Sequence, residues 1–430
     1  MIATTVLAAQ YAGTLDLFDT TKVDARTSSP PPIIEAPRLE KVVLAMDVST
    51  APTARIRLSD RHLEYTLTYA PTVTAADVEL GLDALVLHTG LGTVAWHDRM
   101  VRVTLSEAAA YGQLNSAFLY QQPTVPGQPT VVQSAPAPTT IDFGSSSTDA
   151  SVSVRPSRRM TLLVSGGYTL SGGTTAYAQT VLPQQQGPRG SVSVTYTLSR
   201  RDSVTTLASV QGATTSGECA PLTTGQAPPP PPRPKQFSDV LNTGLDEATQ
   251  FPLCVTQAGL AQVLETLRRR LSRTLTLSLG AGASAALINA PAVGEEVVIQ
   301  PVATVALIDG LERNDRSTLT LSANLTPFVD IRTGLVDDRA GATATLVDQI
   351  TPTLTFRLMA NALQSVPFPA IYPYPLTLLT GLVEARVRTE RQLDVALGVQ
   401  TLWQNQTGYG TLASTIGYVS VTARAPSLHF

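Results

Sequence analysis

The sequence has no long hydrophobic run and little charge, and each absence argues against a class of protein. No stretch approaches the ~20 consecutive apolar residues of a transmembrane helix, although 43% of all residues are hydrophobic. Charged residues make up 15% of the chain, compared with about 25% in typical soluble proteins. The net charge of −3 supplies no basic surface for nucleic-acid phosphates. We therefore expect neither a helical membrane protein nor a nucleic-acid-binding protein.

Residues that commonly carry catalysis or hold metals are also scarce. The histidines are His62, His88, His97 and His429, and none shows metal-ligand spacing with cysteines or carboxylates. The sequence contains no glycine-rich phosphate loop and no G-x-S-x-G nucleophile motif. We therefore expect no enzyme, no metal and no other cofactor.

The two cysteines, Cys219 and Cys254, flank a segment that contains five consecutive prolines, Pro228 to Pro232. A disulfide between them would staple a loop in an oxidising compartment. Two cysteines make a weak pattern, so two unpaired thiols are the alternative.

The clearest positive signal is the stretch from Thr274 to Leu287, TLTLSLGAGASAAL. Leucine and alanine alternate there with threonine, serine and glycine, which indicates a β-strand with one apolar and one polar face. The stretch exceeds both the 5–6 residues of a common soluble strand and the roughly 9–11 that cross a bilayer as a tilted strand. We therefore interpret it as a membrane-spanning strand. Leu277→Arg is expected to place a charge at the lipid midplane and impair assembly, whereas Thr276→Arg is expected to be tolerated and to shift ion selectivity.

Similar alternation recurs along the chain, interrupted by two kinds of connection. Short charged turns occur at 96–99, 155–159, 199–202, 312–316 and 388–391. Longer polar connections occur at 112–150, 172–187 and 216–255. Bacterial transmembrane barrels have short periplasmic turns and long external loops. The pattern predicts an all-β, antiparallel, up-and-down transmembrane barrel of roughly 16 strands, within about 14–18.

The predicted organisation has three parts. Residues 1–15 are either the remnant of a signal segment or an ordinary strand, and residues 16–60, with the proline-rich SSPPPIIEAP, are expected to form a periplasmic extension. Residues 61–430 form the predicted barrel. Within it, the apolar spacing of 258–271 is closer to that of a helix, but an even strand number requires a strand there.

These alternating strands, short turns and long loops, together with the terminal Phe430, resemble bacterial outer-membrane β-barrels of the porin-like class. The resemblance covers about residues 63–430 and is architectural. It implies an outer-membrane location, contact with outer-membrane lipid, and recognition of Phe430 by the barrel-assembly machinery. Pro426 departs from the pattern because it interrupts the ladder just before the terminus.

Four charged residues fall on predicted polar faces and are candidates for the lumen: Glu64, Arg357, Glu384 and Asp394. Arginines at 102, 386 and 388 adjoin turns and are interpreted as solvated rim residues. A lumen of hydroxyl and amide groups suits sugars better than ions. We therefore expect a channel for hydrophilic solutes, either sugars or an exported polysaccharide that is delivered by periplasmic export components. The alternatives are a closed adhesive barrel that acts through its loops, and a soluble secreted all-β protein.

Overall fold

The fold is known from a computed structural model. It describes residues 12–28, 43–75, 84–115, 140–175, 178–179, 182–218, 253–290, 294–311, 316–329, 336–368, 376–390, 392–406 and 410–429. Almost all of these residues lie in β-strands. The described residues contain no helix that could serve as a transmembrane span.

Twenty strand segments follow one another along the chain. They are β1 (Ala12–Ser28), β2 (Val43–Ser59), β3 (Leu63–Tyr69), β4 (Thr72–Ala75), β5 (Leu85–His97), β6 (Val101–Asn115), β7 (Thr140–Ser157), β8 (Met160–Gly173), β9 (Gln184–Thr197), β10 (Asp202–Glu218), β11 (Leu253–Arg270), β12 (Leu275–Ala290), β13 (Gly294–Leu311), β14 (Ser317–Val329), β15 (Val336–Gln349), β16 (Leu354–Phe368), β17 (Leu376–Glu390), β18 (Leu393–Gln406), β19 (Gly410–Arg424) and β20 (Leu428–His429).

All segments belong to one antiparallel sheet that closes on itself. Successive strands pair with one another, with β3 and β4 lying end to end between β2 and β5. β1 pairs with β19 from Phe18↔Arg424 to Ser28↔Ser414. Because the sheet closes, no second sheet packs against it within the described ranges. The described residues therefore lack the two packed sheets of a sandwich, which is one form that the soluble all-β alternative could take.

The described segments make a barrel of 18 strands, the upper end of the predicted range. β3 and β4 count as one strand because both pair with β2 and β5 in a single register. Pro71 lies between them, and its missing N–H explains the interruption. β20 extends β19 beyond Pro426, pairing with β1 through Leu15↔Leu428.

Short turns join alternate strands at one edge of the barrel, for example Asp60–His62 and Asp98–Met100. The start of β1 and the end of β19 lie at this same edge. Short turns mark the periplasmic end of a transmembrane barrel, so we call this edge the periplasmic edge. The three long connections predicted at the other edge contain fewer residues than expected, because the flanking strands extend into them. Only 116–139, 174–183 and 219–252 separate the flanking strands.

The structure corrects one sequence prediction and settles another. Residues 16–60, expected to form a periplasmic extension, instead contribute β1 and β2 to the barrel wall. The alternation of β1 was not evident because Asp19 and Thr21 interrupt the apolar outer row between Leu17 and Val23. Residues 258–271 fall largely within β11, which confirms the strand prediction.

The two faces of the sheet differ sharply. Large apolar side chains stand exposed on one face, including Val263 at 54%, Ile299 at 77% and Leu397 at 61%. Their neighbours in the strands, such as Gln262 and Gln300, point to the opposite face and are less exposed. A closed barrel crowds side chains on its concave side, so the apolar face is the outer one. Exposed apolar surface on this scale requires lipid.

Candidate functional site: the barrel lumen

The inner face of β7 to β16 is lined mainly by hydroxyl and amide side chains. Hydroxyl pairs bridge neighbouring strands, as in Ser165 with Ser191 at 2.7 Å and Thr195 with Thr205 at 2.9 Å. The Asn361 amide donates to the Thr380 hydroxyl at 3.0 Å. These uncharged side chains offer hydrogen-bond donors and acceptors to the lumen.

A charged network occupies the part of the inner wall where β16 to β19 meet β1. The Tyr418 hydroxyl donates to a Glu384 carboxylate oxygen at 2.6 Å. The Lys22 ammonium lies 4.5 Å from the centre of the Tyr418 ring and 2.7 Å from an Asp24 oxygen. Arg386 approaches Glu384 at 3.5 Å. The network therefore spans the seam between the first and last strands.

Tyr418 lies flat over Gly398 on the neighbouring strand. The two residues are paired in register, and a Cβ atom added to Gly398 would lie 2.5 Å from the Tyr418 Cζ atom. Only glycine leaves room for the ring in this position. The glycine thus fixes the tyrosine against the wall, where its hydroxyl reaches Glu384.

Asp394 anchors a second charged cluster nearer the periplasmic edge. One carboxylate oxygen accepts from Arg388 at 3.0 Å and the other from Arg424 at 2.7 Å. The Asp394 side chain is 9% exposed, whereas Arg388 and Arg424 are 58% and 46% exposed. The carboxylate is therefore held in the wall while both guanidinium groups remain accessible to solvent.

A third charged cluster lies across the lumen, on β7 and β9. Arg189 donates from Nε to Asp149 at 2.9 Å and from Nη2 to the Ser147 hydroxyl at 2.9 Å. Gly167 on the intervening strand β8 provides the space, because a Cβ atom there would overlap the Asp149 carboxylate. Bidentate contact of this kind fixes the guanidinium.

One hairpin end bends inward at the external side of the barrel. Pairing between β13 and β14 stops at Ala303↔Leu325, whereas β14 and β15 stay paired to Val329↔Val336. Val329 and Val336 are buried in an apolar cluster with inner-face residues of β12 and β13, including Ile288. The end of the β14–β15 hairpin therefore lies against the inner wall and narrows the lumen there.

The sequence-predicted lumen candidates lie on the inner face. Glu64 is 4.0 Å from Arg57, and Arg357 is paired in register with Glu384. Asp394 and Glu384 belong to the two clusters described above. The predicted rim residues 386 and 388 are solvated, but each also approaches a carboxylate.

Other sequence candidates cannot be placed. Phe430 and Cys219 lie outside the described residues, and the side chain of Cys254 is not described. Within the described part, no group of three or more His, Cys, Asp or Glu residues could hold a metal ion.

Sequence reasoning missed the pairs Lys22–Asp24 and Asp149–Arg189. The first lies in a segment that was not recognised as a strand. In the second, the partners are far apart in the chain and meet only through the register of three strands. The one available signal was the position of each charge on a polar face.

Comparison with known proteins shows similarity to one protein family. The profile of the EpsX exopolysaccharide export family matches residues 14–227, a stretch that begins in β1 and ends after β10. No curated protein matches the sequence.

Several solved structures are similar in fold. The FrpB iron transporter from Neisseria meningitidis is 9% identical with a TM-score of 0.48, and the match covers 93% of this chain and 62% of FrpB. OccK2 (OpdF) from Pseudomonas aeruginosa is 8% identical with a TM-score of 0.47, and the match covers 95% of this chain and 98% of OccK2. OpdQ from the same organism is 8% identical with a TM-score of 0.45, over 98% of each chain.

The closed sheet, the apolar outer face and the polar lumen together define the molecule. Only lipid can cover such an exterior, and only a closed barrel satisfies the backbone of strands in lipid. The chain forms a closed membrane-spanning β-barrel that resembles bacterial outer-membrane barrels of the porin-like class, and over residues 14–227 it is similar to the EpsX exopolysaccharide export family.

Proposed function

We propose that this barrel is the channel through which an exopolysaccharide crosses the outer membrane. The observation that carries the proposal is a barrel of 18 strands whose wall is lined largely by hydroxyl and amide groups. Barrels of about 16–18 strands leave an aqueous channel instead of a filled core. The match to an exopolysaccharide export family supports this choice of cargo.

The lumen chemistry suits a sugar polymer. Serine, threonine, asparagine and glutamine side chains can exchange hydrogen bonds with successive hydroxyl groups of a moving chain. Each such bond has a small net free energy, because it replaces a similar bond to water. A polymer can therefore slide past the wall without being trapped at one site.

Export also implies partners. A polymer must be handed to the periplasmic edge of the barrel, so periplasmic export components are part of the proposal. Folding of the barrel into the membrane is proposed to depend on the barrel-assembly machinery.

A cysteine-blocking experiment tests the proposal directly. The native cysteines, Cys219 and Cys254, are first replaced by serine. Ser209→Cys then places a thiol on the inner face, and Val210→Cys places one on the outer face, where the valine is 61% exposed. Cells are treated with a bulky water-soluble maleimide, and surface polysaccharide is measured.

We expect the reagent to stop polysaccharide export in the Ser209→Cys strain and leave it unchanged in the Val210→Cys strain. Equal export from both treated strains, with labelling of Ser209→Cys verified by mass, would contradict the proposal. Normal polysaccharide at the surface of a strain that lacks the protein would favour an adhesive barrel that acts through its loops.

A further inference from the structure

Arginines are concentrated at the periplasmic edge of the barrel. Twelve of them are exposed and form no ion pair within the described part of the chain: Arg61, Arg99, Arg102, Arg155, Arg158, Arg159, Arg200, Arg201, Arg268, Arg270, Arg273 and Arg316. They come from the turns and from the adjoining ends of the strands, so they surround the mouth of the lumen.

The acidic residues at this edge do not neutralise these arginines. Several carboxylates already have partners, since Asp202 faces Arg269 at 3.7 Å and Asp394 binds two other arginines. The other described carboxylates toward this edge are fewer than the twelve arginines: Asp16, Asp60, Asp98, Asp309 and Asp348. The periplasmic mouth therefore carries a clear excess of positive charge.

The external half of the inner wall has no comparable cluster of unpaired arginines among the described residues. Its acidic residues include Asp24, Asp47 and Asp337, which are 5%, 1% and 5% exposed. The basic side chains described there are already engaged, as shown by the Lys22–Asp24 pair and by Arg339, which lies 3.8 Å from the Phe328 ring centre. Positive charge thus declines along the lumen from the periplasmic to the external side.

Three of the unpaired arginines face the lumen itself. Arg102 is the second residue of β6, and Arg268 and Arg270 lie at the end of β11. Their register partners on the same face are His97, Ser203 and Thr276, none of which is acidic. A polymer that enters the barrel must pass these guanidinium groups.

We infer that the exported polymer is an acidic polysaccharide, one that carries carboxylate, phosphate or sulfate groups along its chain. The inference rests on the proposed export function and names its substrate class. Guanidinium groups bind such oxyanions through paired hydrogen bonds. A ring of like charge at a channel mouth also raises the local concentration of ions of opposite sign.

The direction of the charge gradient fits export. An acidic chain is attracted to the periplasmic mouth, where it must be captured. Farther along the wall it meets mainly hydroxyl and amide groups and basic side chains that already have partners, so it is not retained there. A neutral polymer would gain nothing from this arrangement.

The same arginines could instead bind the phosphates of periplasmic-leaflet lipids, which offer the same oxyanion chemistry. The three lumen-facing arginines separate the two sources, because lipid lies outside the barrel. Arg269 provides a matched control, since it belongs to the same strand end but lies on the outer face and pairs with Asp202.

The test compares dextran with dextran sulfate of equal length as blockers of single channels in a planar bilayer. Each polymer is added to one side at a time. The proteins are the wild type, the triple variant Arg102→Gln/Arg268→Gln/Arg270→Gln, the corresponding triple lysine variant and Arg269→Gln. Heat-modifiable gel migration verifies that each variant is folded.

We expect dextran sulfate to block the wild type more tightly than dextran does, and only from one side. Loss of one contact between unit charges in water weakens binding about fivefold, so the glutamine triple variant should lose about a hundredfold. The lysine variant should retain most of the block, and Arg269→Gln should behave like the wild type.

The failures are distinguishable. Equal block by both polymers, unchanged in the glutamine variant, would overturn the acidic substrate and leave the export function intact. Channels that neither polymer blocks from either side would contradict export itself. An unchanged block combined with lost thermal stability in phosphatidylglycerol vesicles would assign the arginines to lipid.

Discussion

Replacing Val263 by arginine is the sharpest test of how the wall sits in the membrane. Val263 lies near the middle of β11, is 54% exposed on the outer face and is paired with Ala283 in the middle of β12. Arginine on the lipid face costs about 2–4 kcal/mol at the bilayer midplane and about 0–1 near the interfaces. A midplane cost of that size lowers the ratio of folded to unfolded protein about 30-fold to 1,000-fold.

Two controls make the prediction specific to depth and to face. Leu277 lies on the same outer surface but only two residues from the periplasmic start of β12. Its replacement by arginine should therefore cost about 0–1 kcal/mol, which corrects the midplane position that the sequence suggested for it. Gln262→Arg, one residue from Val263 and on the inner face, should be tolerated.

The assay is urea unfolding in detergent micelles or lipid vesicles, followed by heat-modifiable migration on a gel. We expect the order of destabilisation to be Val263→Arg well above Leu277→Arg, with Gln262→Arg near the wild type. Equal unfolding midpoints for Val263→Arg and Gln262→Arg would refute the assignment of inner and outer faces. Equal losses at positions 263 and 277 would refute the assigned depth.

Two further predictions concern the seam and its charges. Gly398→Ala should destabilise the barrel by about 1–3 kcal/mol, because its new methyl group displaces the Tyr418 ring. Gly417→Ala should be close to neutral in the same unfolding assay, because nothing lies within 4 Å of its Cβ position, and similar losses in both would contradict this account. Asp394→Asn removes the carboxylate that two arginines share, so reversal potentials in a salt gradient should shift toward stronger anion selectivity. An unchanged reversal potential would show that these arginines do not influence the permeating ions.

Much of the fold could be predicted because the outer face repeats one simple pattern. The alternation in β12 is uninterrupted by charge, so its strand character and its two faces were evident. β1 could not be recognised in the same way, because Asp19 and Thr21 interrupt the apolar row on its outer face. Its assignment depends on pairing with β19, nearly 400 residues away in sequence.

For the lumen, the sequence predicts which residues lie on the polar face of each strand but not which residues contact one another. Glu384 and Asp394 could be placed on polar faces from local alternation alone. Their partners could not, because strand register decides which charges meet. Tyr418 reaches Glu384 across β18 only because Gly398 leaves space between them.

The seam between β1 and β19 has a consequence for how the molecule is made. Thr20 and Thr422, which are 402 residues apart, share a hydrogen bond at 3.0 Å, and Ala425 donates its N–H to the Leu17 carbonyl at 2.8 Å. The growing sheet therefore has two edge strands with unpaired backbone groups until β19 is in place to pair with β1. Closure of the barrel therefore disfavours truncated chains, because a chain without β19 has unpaired backbone groups that hydrocarbon cannot solvate.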